Sequence, residues 1–149
     1  MHLYGLYMWE EVKKQIKDHE GFRSEIYFCS ERKATIGYGH LITPQDDFIP
    51  GVSYPEDQLE ELFEKDFAKA LEGAEQLINL NPINDTAKEV IIEMVFQMGK
   101  NGCAKFKKMW KSLNREDYGE ASFQMMDSLW AKQTPLRAKK LSEKMRLAK

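Results

Sequence analysis

The chain has 149 residues, of which 42% are hydrophobic and 31% charged, and its formal net charge at pH 7 is −2. These values are typical of one soluble globular domain and exclude a fibre or a disordered chain. No apolar stretch approaches the roughly 18 residues of a membrane-spanning helix, so we expect no stable membrane insertion. The two cysteines are too few for a disulfide framework, and they fit a reducing compartment.

The charges are unevenly distributed along the chain. Residues 56–75 contain eight acidic side chains and two lysines, whereas residues 132–149 contain seven basic side chains and one glutamate. The basic segment has two interpretations: a face that attracts a polyanion, such as a nucleic acid or a wall polymer, or the solvated face of a terminal helix.

The N-terminal segment predicts a helix. Apolar side chains recur at helical spacing at Trp9, Val12 and Ile16, and Gly21 follows as a helix-terminating residue. We therefore expect a helix over about residues 6–19, with Glu20 at its C-terminal end. The first residues carry neither a basic n-region nor a small-residue cleavage site, which predicts no signal peptide and synthesis in a cytoplasm.

A β-hairpin is expected next. Residues 24–29 and 33–39 are short and rich in Ile, Tyr, Phe and Thr, and the polar residues 30–32 separate them. Residues 42–51 contain two prolines and several acidic or amide side chains, which predicts a loop.

The remaining pattern is helical. Ser53, a proline in the first turn and Glu56 form the signature of a capping box. An apolar stripe then predicts one long helix as far as about residue 79, and the segment 81–85 ends it. Asn84 or Asp85 can cap the next helix, which residues 99–102 end; a shorter helix follows to Leu113, Asn114 caps another, and Thr134-Pro135 begins the last.

The fold class predicted from these elements is α+β and mainly α. We expect a single domain, 1–149, with a small α+β N-terminal lobe of about residues 1–52, a connecting helix of about 53–79 and a helical C-terminal lobe of about 80–149.

Three side chains near the hairpin suggest hydrolytic chemistry. If the hairpin turns over residues 30–34, Cys29 and Thr35 form a cross-strand pair with Cβ atoms about 4.5–5.5 Å apart, which could hold a water molecule. Glu20 could face the same point, and the negative end of its helix would raise the carboxyl pKa, as a general acid requires. Taken singly, each residue has an ordinary structural interpretation: a solvated glutamate, a buried thiol and a β-forming threonine.

Together with the segment Ile36-Gly-Tyr-Gly-His-Leu41, the spacing of these three residues resembles phage-type lysozymes of the T-even bacteriophage kind (glycoside hydrolase family 24). Two further motifs are similar to that family in the same order: Met94-Val-Phe-Gln-Met-Gly99 with Gly102 and Phe106, and Ser128-Leu-Trp130 with Gln133-Thr-Pro135 and Arg137. The resemblance covers roughly residues 9–140 and implies a two-lobed lysozyme-like fold.

The resemblance also implies an activity. Members of the family hydrolyse the β-1,4 bond between N-acetylmuramic acid and N-acetylglucosamine in peptidoglycan, with inversion. Glu20 matches the general acid, Cys29 matches a position held by aspartate or cysteine, and Thr35 matches a residue that positions water. Five residues match positions that bind substrate or line the cleft: Leu41, Phe96, Gln97, Gln124 and Arg137.

Arg137 matches an arginine that pairs with the catalytic glutamate. Met109 and Gln124 stand at two cleft positions that are a serine and an asparagine in the best-known member of the family. The resemblance also places a structural ion pair between His40 and Asp66, against the alternative that His40 is a catalytic base.

Three functional hypotheses follow. The first is an endolysin-type muramidase that needs no cofactor or metal and acts on peptidoglycan as a monomer without binding nucleic acid. We expect it to leave the host cytoplasm through a holin pore to reach the periplasm or cell wall; a virion-borne enzyme cut from a larger protein and a secreted bacterial effector are the alternative settings. The second is a catalytically weakened wall-binding protein on a lysozyme scaffold. The third, a nucleic-acid binder that uses the basic C-terminal end, lacks a recognised DNA-binding motif.

Overall fold

The fold is taken from a computed structural model of the chain, which describes residues 9–29 and 31–148. The described residues form seven helices and one three-stranded antiparallel sheet of order β1-β2-β3, which confirms the α+β, mainly α class. In chain order the elements are α1 (Glu10–Glu20), β1 (Arg23–Phe28), β2 (Ala34–Gly37), β3 (His40–Leu41), α2 (Glu56–Ile78), α3 (Asp85–Ala104), α4 (Lys107–Asn114), α5 (Tyr118–Met126), α6 (Leu129–Gln133) and α7 (Pro135–Arg146).

The chain divides into two compact units, one ending at Lys69 and the other spanning Ala70–Lys149. The division falls within α2, so this helix contributes residues to both units. The lobe bounds expected from the sequence, 1–52, 53–79 and 80–149, remain a prediction. No helix among the described residues is long and apolar enough to cross a membrane.

Helix α1 ends where the sequence pattern indicates. Val12 and Ile16 are buried on one face, and the N–H group of Gly21, at φ 74°, donates to the Lys17 carbonyl at 2.9 Å. A positive φ is the conformation in which glycine terminates a helix at little steric cost. Glu20 is therefore the last residue of α1, and the expected helical residues 6–8 lie outside the described part of the chain.

The register of the hairpin differs from the expected one. Thr35 lies opposite Tyr27 and Phe28 lies opposite Ala34, so the predicted cross-strand pair of Cys29 and Thr35 is wrong. The turn is tighter than expected because Arg32 adopts a left-handed φ of 61° and the N–H group of Cys29 donates to the Lys33 carbonyl at 3.0 Å. The register has moved by two residues, which keeps Cys29 on the same face of the strand pair as Thr35.

Two elements of the N-terminal unit differ from the expectation: strand β3 is additional, and α2 begins later than predicted. Strand β3 pairs with β2 and brings His40 opposite Ile36 and Leu41 opposite Thr35. Helix α2 begins at Glu56, three residues after the predicted cap, and the hydroxyl of Ser53 donates to the hydroxyl of Ser24 at 3.0 Å.

The C-terminal unit is built around α3. Its apolar residues Ala87, Val90, Ile91 and Met94 are fully buried, and Asn84 caps the helix by accepting the N–H group of Ala87 at 2.9 Å. The helix is interrupted at Gly99 (φ 82°), where the sequence predicts an end, but it resumes as far as Ala104.

The caps of the following helices correct one prediction. Asp117, rather than Asn114, caps α5 by accepting the N–H group of Glu120 at 3.1 Å, and Asn114 is the last residue of α4. The short helix α6, capped by Ser128, was not expected, whereas α7 begins with Pro135 as predicted.

Candidate active site

Glu20 lies at the junction between α1 and the sheet, and its carboxylate is pressed against the backbone of Gly39. A Cβ atom added to Gly39 would lie 2.6 Å from Oε1 of Glu20, closer than real Cβ atoms approach other atoms. The φ angle of Gly39 is +73°, which also favours glycine. Gly39 thus leaves the space that the Glu20 carboxylate occupies.

Thr35 is a buried hydroxyl on the central strand. The side chain is 2% exposed, and its Oγ1 donates to the Lys33 carbonyl at 2.8 Å. Because the hydroxyl proton is used in this bond, the lone pairs of the oxygen are oriented to accept a hydrogen bond from a neighbouring donor.

Cys29 is half-buried and reduced, at the start of the turn that links β1 and β2. The backbone N–H of Lys33, against a smaller effect of desolvation, lowers the pKa of the Cys29 thiol below its usual value. The backbone N–H of Glu31 acts in the same direction, and the Glu31 carboxylate opposes it. Hydrogen bonds to sulfur favour the thiolate, which is the more basic form.

Tyr27 belongs to the same constellation, although the sequence reasoning did not single it out. Burial raises the pKa of the Tyr27 phenol, and the negative charges of Glu20 and Cys29 raise it further, against the positive charge of Arg23. Tyr27, Glu20 and Cys29 all belong to the N-terminal unit. The available sequence signal was the alternation that places Tyr27 and Cys29 on one face of the strand.

His40 lies beside Leu41 and is held by two carboxylates. Its Nδ1 is 2.8 Å from Oδ2 of Asp66, which confirms the expected pairing, and its Nε2 is 2.9 Å from Oδ2 of Asp46, which was not expected. The hydrogen bond to Asp66 raises the pKa of His40 despite its burial, and Asp46 raises it further. An imidazole that faces carboxylates at both nitrogens is a donor at both, and therefore a cation. Leu41 follows directly and is 46% exposed.

Asp46 also anchors the loop that follows β3. Its Oδ2 accepts the backbone N–H of Thr43 at 2.7 Å and the Thr43 hydroxyl at 3.1 Å. Burial alone would raise the pKa of Asp46, but these bonds together with the bond and charge of His40 lower it. His40 therefore ties α2, β3 and this loop together.

In the C-terminal unit, Gln97 is held by aromatic and hydroxyl neighbours. Its Oε1 accepts the indole N–H of Trp130 at 2.9 Å, and its Nε2 lies 3.5 Å from the Thr134 hydroxyl. Phe106 packs edge-on against Trp130, with ring centroids 5.9 Å apart. Phe96 precedes Gln97 on α3 and is half-buried.

Arg137 forms an ion pair within the same unit. Its Nε donates to Oε2 of Glu93 at 2.9 Å, with side chains that are 10% and 1% exposed. Glu93 was missed because it interrupts the apolar face of α3. The Nε2 atom of Gln124 donates to Glu120 at 2.9 Å, and Met109 is 1% exposed, which leaves its side chain in the core. The predicted pairing of Arg137 with Glu20 remains a prediction.

The described residues contain no cluster of three or more His, Cys, Asp or Glu side chains that could hold a metal ion. The site contributes a carboxyl group, a thiol of lowered pKa and an oriented hydroxyl.

Comparisons with known proteins agree with the motifs. Residues 17–145 match the family model described as phage lysozyme. Two proteins of Dictyostelium discoideum, named probable T4-type lysozyme 2 and probable T4-type lysozyme 1, are each 31% identical over 90% of this chain and 92% of their own length. The pre-baseplate central spike protein Gp5 of Enterobacteria phage T4 is 29% identical over 88% of this chain and 27% of its own length.

Proposed function

The chain belongs to the phage lysozyme family, and we propose that it is an endolysin-type muramidase that hydrolyses the β-1,4 bond between N-acetylmuramic acid and N-acetylglucosamine in peptidoglycan, with inversion. One observation carries the proposal. The carboxylate of Glu20 is fixed at the end of α1 against the backbone of Gly39.

In the proposed mechanism Glu20 protonates the glycosidic oxygen as the bond to the anomeric carbon breaks. An inverting glycosidase needs a second group that activates water on the opposite face of the sugar ring. Cys29 and Thr35 supply that function: the Thr35 oxygen, whose own proton is donated to Lys33, accepts a hydrogen bond from the water. The Cys29 sulfur, as thiolate, accepts the proton that the water loses.

The thiol makes the second group pH-sensitive. A free cysteine has a pKa near 8.5, so it is mostly neutral at pH 7, where an aspartate would be ionised. The backbone hydrogen bonds from Lys33 and Glu31 lower the pKa of Cys29 and so increase the thiolate fraction. We expect turnover to rise with pH as Cys29 ionises.

The saccharide chain is expected to contact Leu41, Phe96, Gln97, Gln124 and Arg137. These assignments rest on the matched motifs. The exposure of Leu41 and the fixed orientation of the Gln97 amide are compatible with them.

The products of purified peptidoglycan test the proposed bond. After borohydride reduction of the released fragments, a muramidase gives reduced muramic acid at the new ends. Reduced glucosamine would identify a glucosaminidase, and new free amino groups without new reducing ends would identify a peptide-cleaving enzyme; either result would contradict the proposal. The anomer first released, read by NMR, tests inversion, because retention would require a covalent intermediate.

The alternative is a catalytically weakened wall-binding protein, which the cysteine at position 29 favours. Cys29→Asp separates the two. If the thiol enzyme is active, the wild type hydrolyses peptidoglycan measurably and Cys29→Ala lowers the rate. If the scaffold is catalytically weakened, the wild type is inactive and only Cys29→Asp is active.

We also propose that the protein acts as a monomer released from a host cytoplasm through a holin pore. Expression in bacterial cytoplasm tests this route: cells should lyse only when a pore-forming holin is co-expressed. Lysis without it would contradict the proposal.

A further inference from the structure

The C-terminal unit contains a groove that the lysozyme chemistry does not use. It has a volume of about 280 Å³ and lies where the end of α2 and the segment after it meet α4. Its eight lining residues are Leu77, Leu80, Asn81, Ala104, Lys107, Trp110, Lys111 and Asn114. None of these has a role in the proposed hydrolysis.

The floor of the groove is apolar because its polar groups are already bonded. The indole N–H of Trp110 donates to the Cys103 carbonyl at 3.0 Å, and the amide of Asn81 donates to the Leu77 carbonyl at 3.1 Å. Trp110 is 9% exposed, whereas Leu80 at the edge is 78% exposed. An exposed leucine beside an apolar groove is a surface that loses water favourably when an apolar group covers it.

The rim of the groove is cationic. The charged residues that line it are Lys107 and Lys111, and within residues 9–29 and 31–148 neither forms an ion pair. They belong to residues 100–115, a segment with six basic side chains and no acidic one. All six basic residues are exposed. The C-terminal unit as a whole has fourteen basic and ten acidic side chains, against eight and fourteen in the rest of the chain.

We propose that this groove, with Lys107 and Lys111, binds an anionic phospholipid surface, the lysines contacting lipid phosphates and the groove taking part of an acyl chain. Exposed lysines combined with leucine and tryptophan are the composition of segments that lie on anionic membranes. Binding is peripheral, since no described helix could span a bilayer.

Two other occupants fit less well. A stable protein partner normally contacts about 20–30 residues on each side, and this groove has eight lining residues. A hydrophilic wall polymer would engage the lysines but would leave the apolar floor and Leu80 uncovered.

Sedimentation with vesicles tests the proposal on the full chain. Wild type should bind vesicles of phosphatidylglycerol and not vesicles of phosphatidylcholine. The double variant Lys107→Glu, Lys111→Glu should lower the partition coefficient at least ~25-fold, since each lysine near an anionic surface contributes roughly fivefold. A matched control, Lys139→Glu with Lys140→Glu on α7, makes the same change in net charge away from the groove lining and should have at most about a fivefold effect.

A third variant tests the apolar part. Leu80→Asn replaces a side chain that is 78% exposed and should weaken binding in high salt, where the contribution of the lysines is screened. Activity on lipid-free peptidoglycan should be unchanged in all three variants, which verifies that they fold.

Equal losses in the groove and control double variants would overturn the proposal, because binding would then follow overall charge. Binding to lipid-free wall material through Lys107 and Lys111, without binding to phosphatidylglycerol, would overturn it in favour of a wall polymer. Unchanged binding of Leu80→Asn in high salt would overturn the acyl-chain contact.

Discussion

The bonds of His40 lead to a quantitative prediction for stability. In the variant His40→Ala, Asp46 and Asp66 lose the cation to which they bond at 2.9 and 2.8 Å. The imidazole is 14% exposed and the carboxylates 18% and 27%, so water only partly replaces the lost bonds.

The size of the effect follows from the two bonds. A hydrogen bond to a charged group contributes about 1.5–3 kcal/mol, and breaking a buried ion pair on one side costs about 3–5 kcal/mol. Because both carboxylates are partly hydrated, we take the lower end and expect His40→Ala to lose about 3 kcal/mol at pH 5.5, or about 6–12 °C in Tm for a domain of this size.

The pH dependence has a definite sign. The folded pKa of His40 is raised above its unfolded value of about 6.5, so its contribution is fully present below pH 6.5 and is lost as the pH rises through the folded pKa. The folded pKa of Asp46 is lowered, so its contribution is present above about pH 3.9 and is lost as the pH falls through the folded pKa. The difference between wild type and His40→Ala should therefore be largest between about pH 4 and 6.5.

Urea unfolding at a series of pH values measures this difference. A difference that is constant from pH 5.5 to 9.5, or that grows as the pH rises, would refute the assignment of His40 as a folded-state cation. Turnover per folded molecule should change much less than stability; a large loss of turnover in a stable variant would revive the catalytic interpretation of His40.

Three further outcomes are expected. Gly39→Ala should lower activity on the order of 100-fold, because its Cβ would displace the Glu20 carboxylate. Gly51→Ala is the matched control, with a similar φ of +84° but no atom within 4 Å of the new Cβ. An equal loss of activity in Gly51→Ala would refute the role of Gly39. Iodoacetamide should alkylate Cys29 faster than a free cysteine at pH 7, since the pKa of Cys29 is lowered. Cys103 should stay protected, because burial raises its pKa to about 12. Equal reaction rates of Cys29 and free cysteine would contradict the hydrogen-bonding pattern. Glu93→Gln keeps an acceptor for Arg137 but removes the charge, and it should lower the free energy of unfolding in urea by about 1–3 kcal/mol. An unchanged free energy of unfolding would show that the charge is not needed.

The helices could be predicted from the sequence because their physical causes are local. Apolar spacing on α1 and α2, the cap at Asn84 and the proline that begins α7 each depend on a few consecutive residues. The five-residue helix α6 was missed because so short a segment carries no periodic signal.

The hairpin register could not be predicted because the turn uses a left-handed arginine. Arg32, at φ 61°, takes a conformation that sequence reasoning assigns to Gly, Asn or Asp. The shift of two residues leaves Cys29 on the same face of the strand pair as Thr35, and the site roles expected of these two residues remain predictions.

The candidate site was predicted unevenly. The motifs name Glu20, Cys29 and Thr35, but nothing local indicates that Gly39 makes room for a carboxylate or that Asp46 reaches His40. Both depend on chain segments that meet only in the folded unit.

The role of Glu20 as general acid is tested most directly by the initial rate of hydrolysis of purified peptidoglycan by Glu20→Gln beside wild type, with both proteins matched for folded fraction by urea unfolding. Glutamine keeps the shape of the side chain and cannot donate the proton, so we expect the rate to fall by about 10²–10⁴-fold. A rate within tenfold of wild type would contradict the assignment of Glu20 as the general acid.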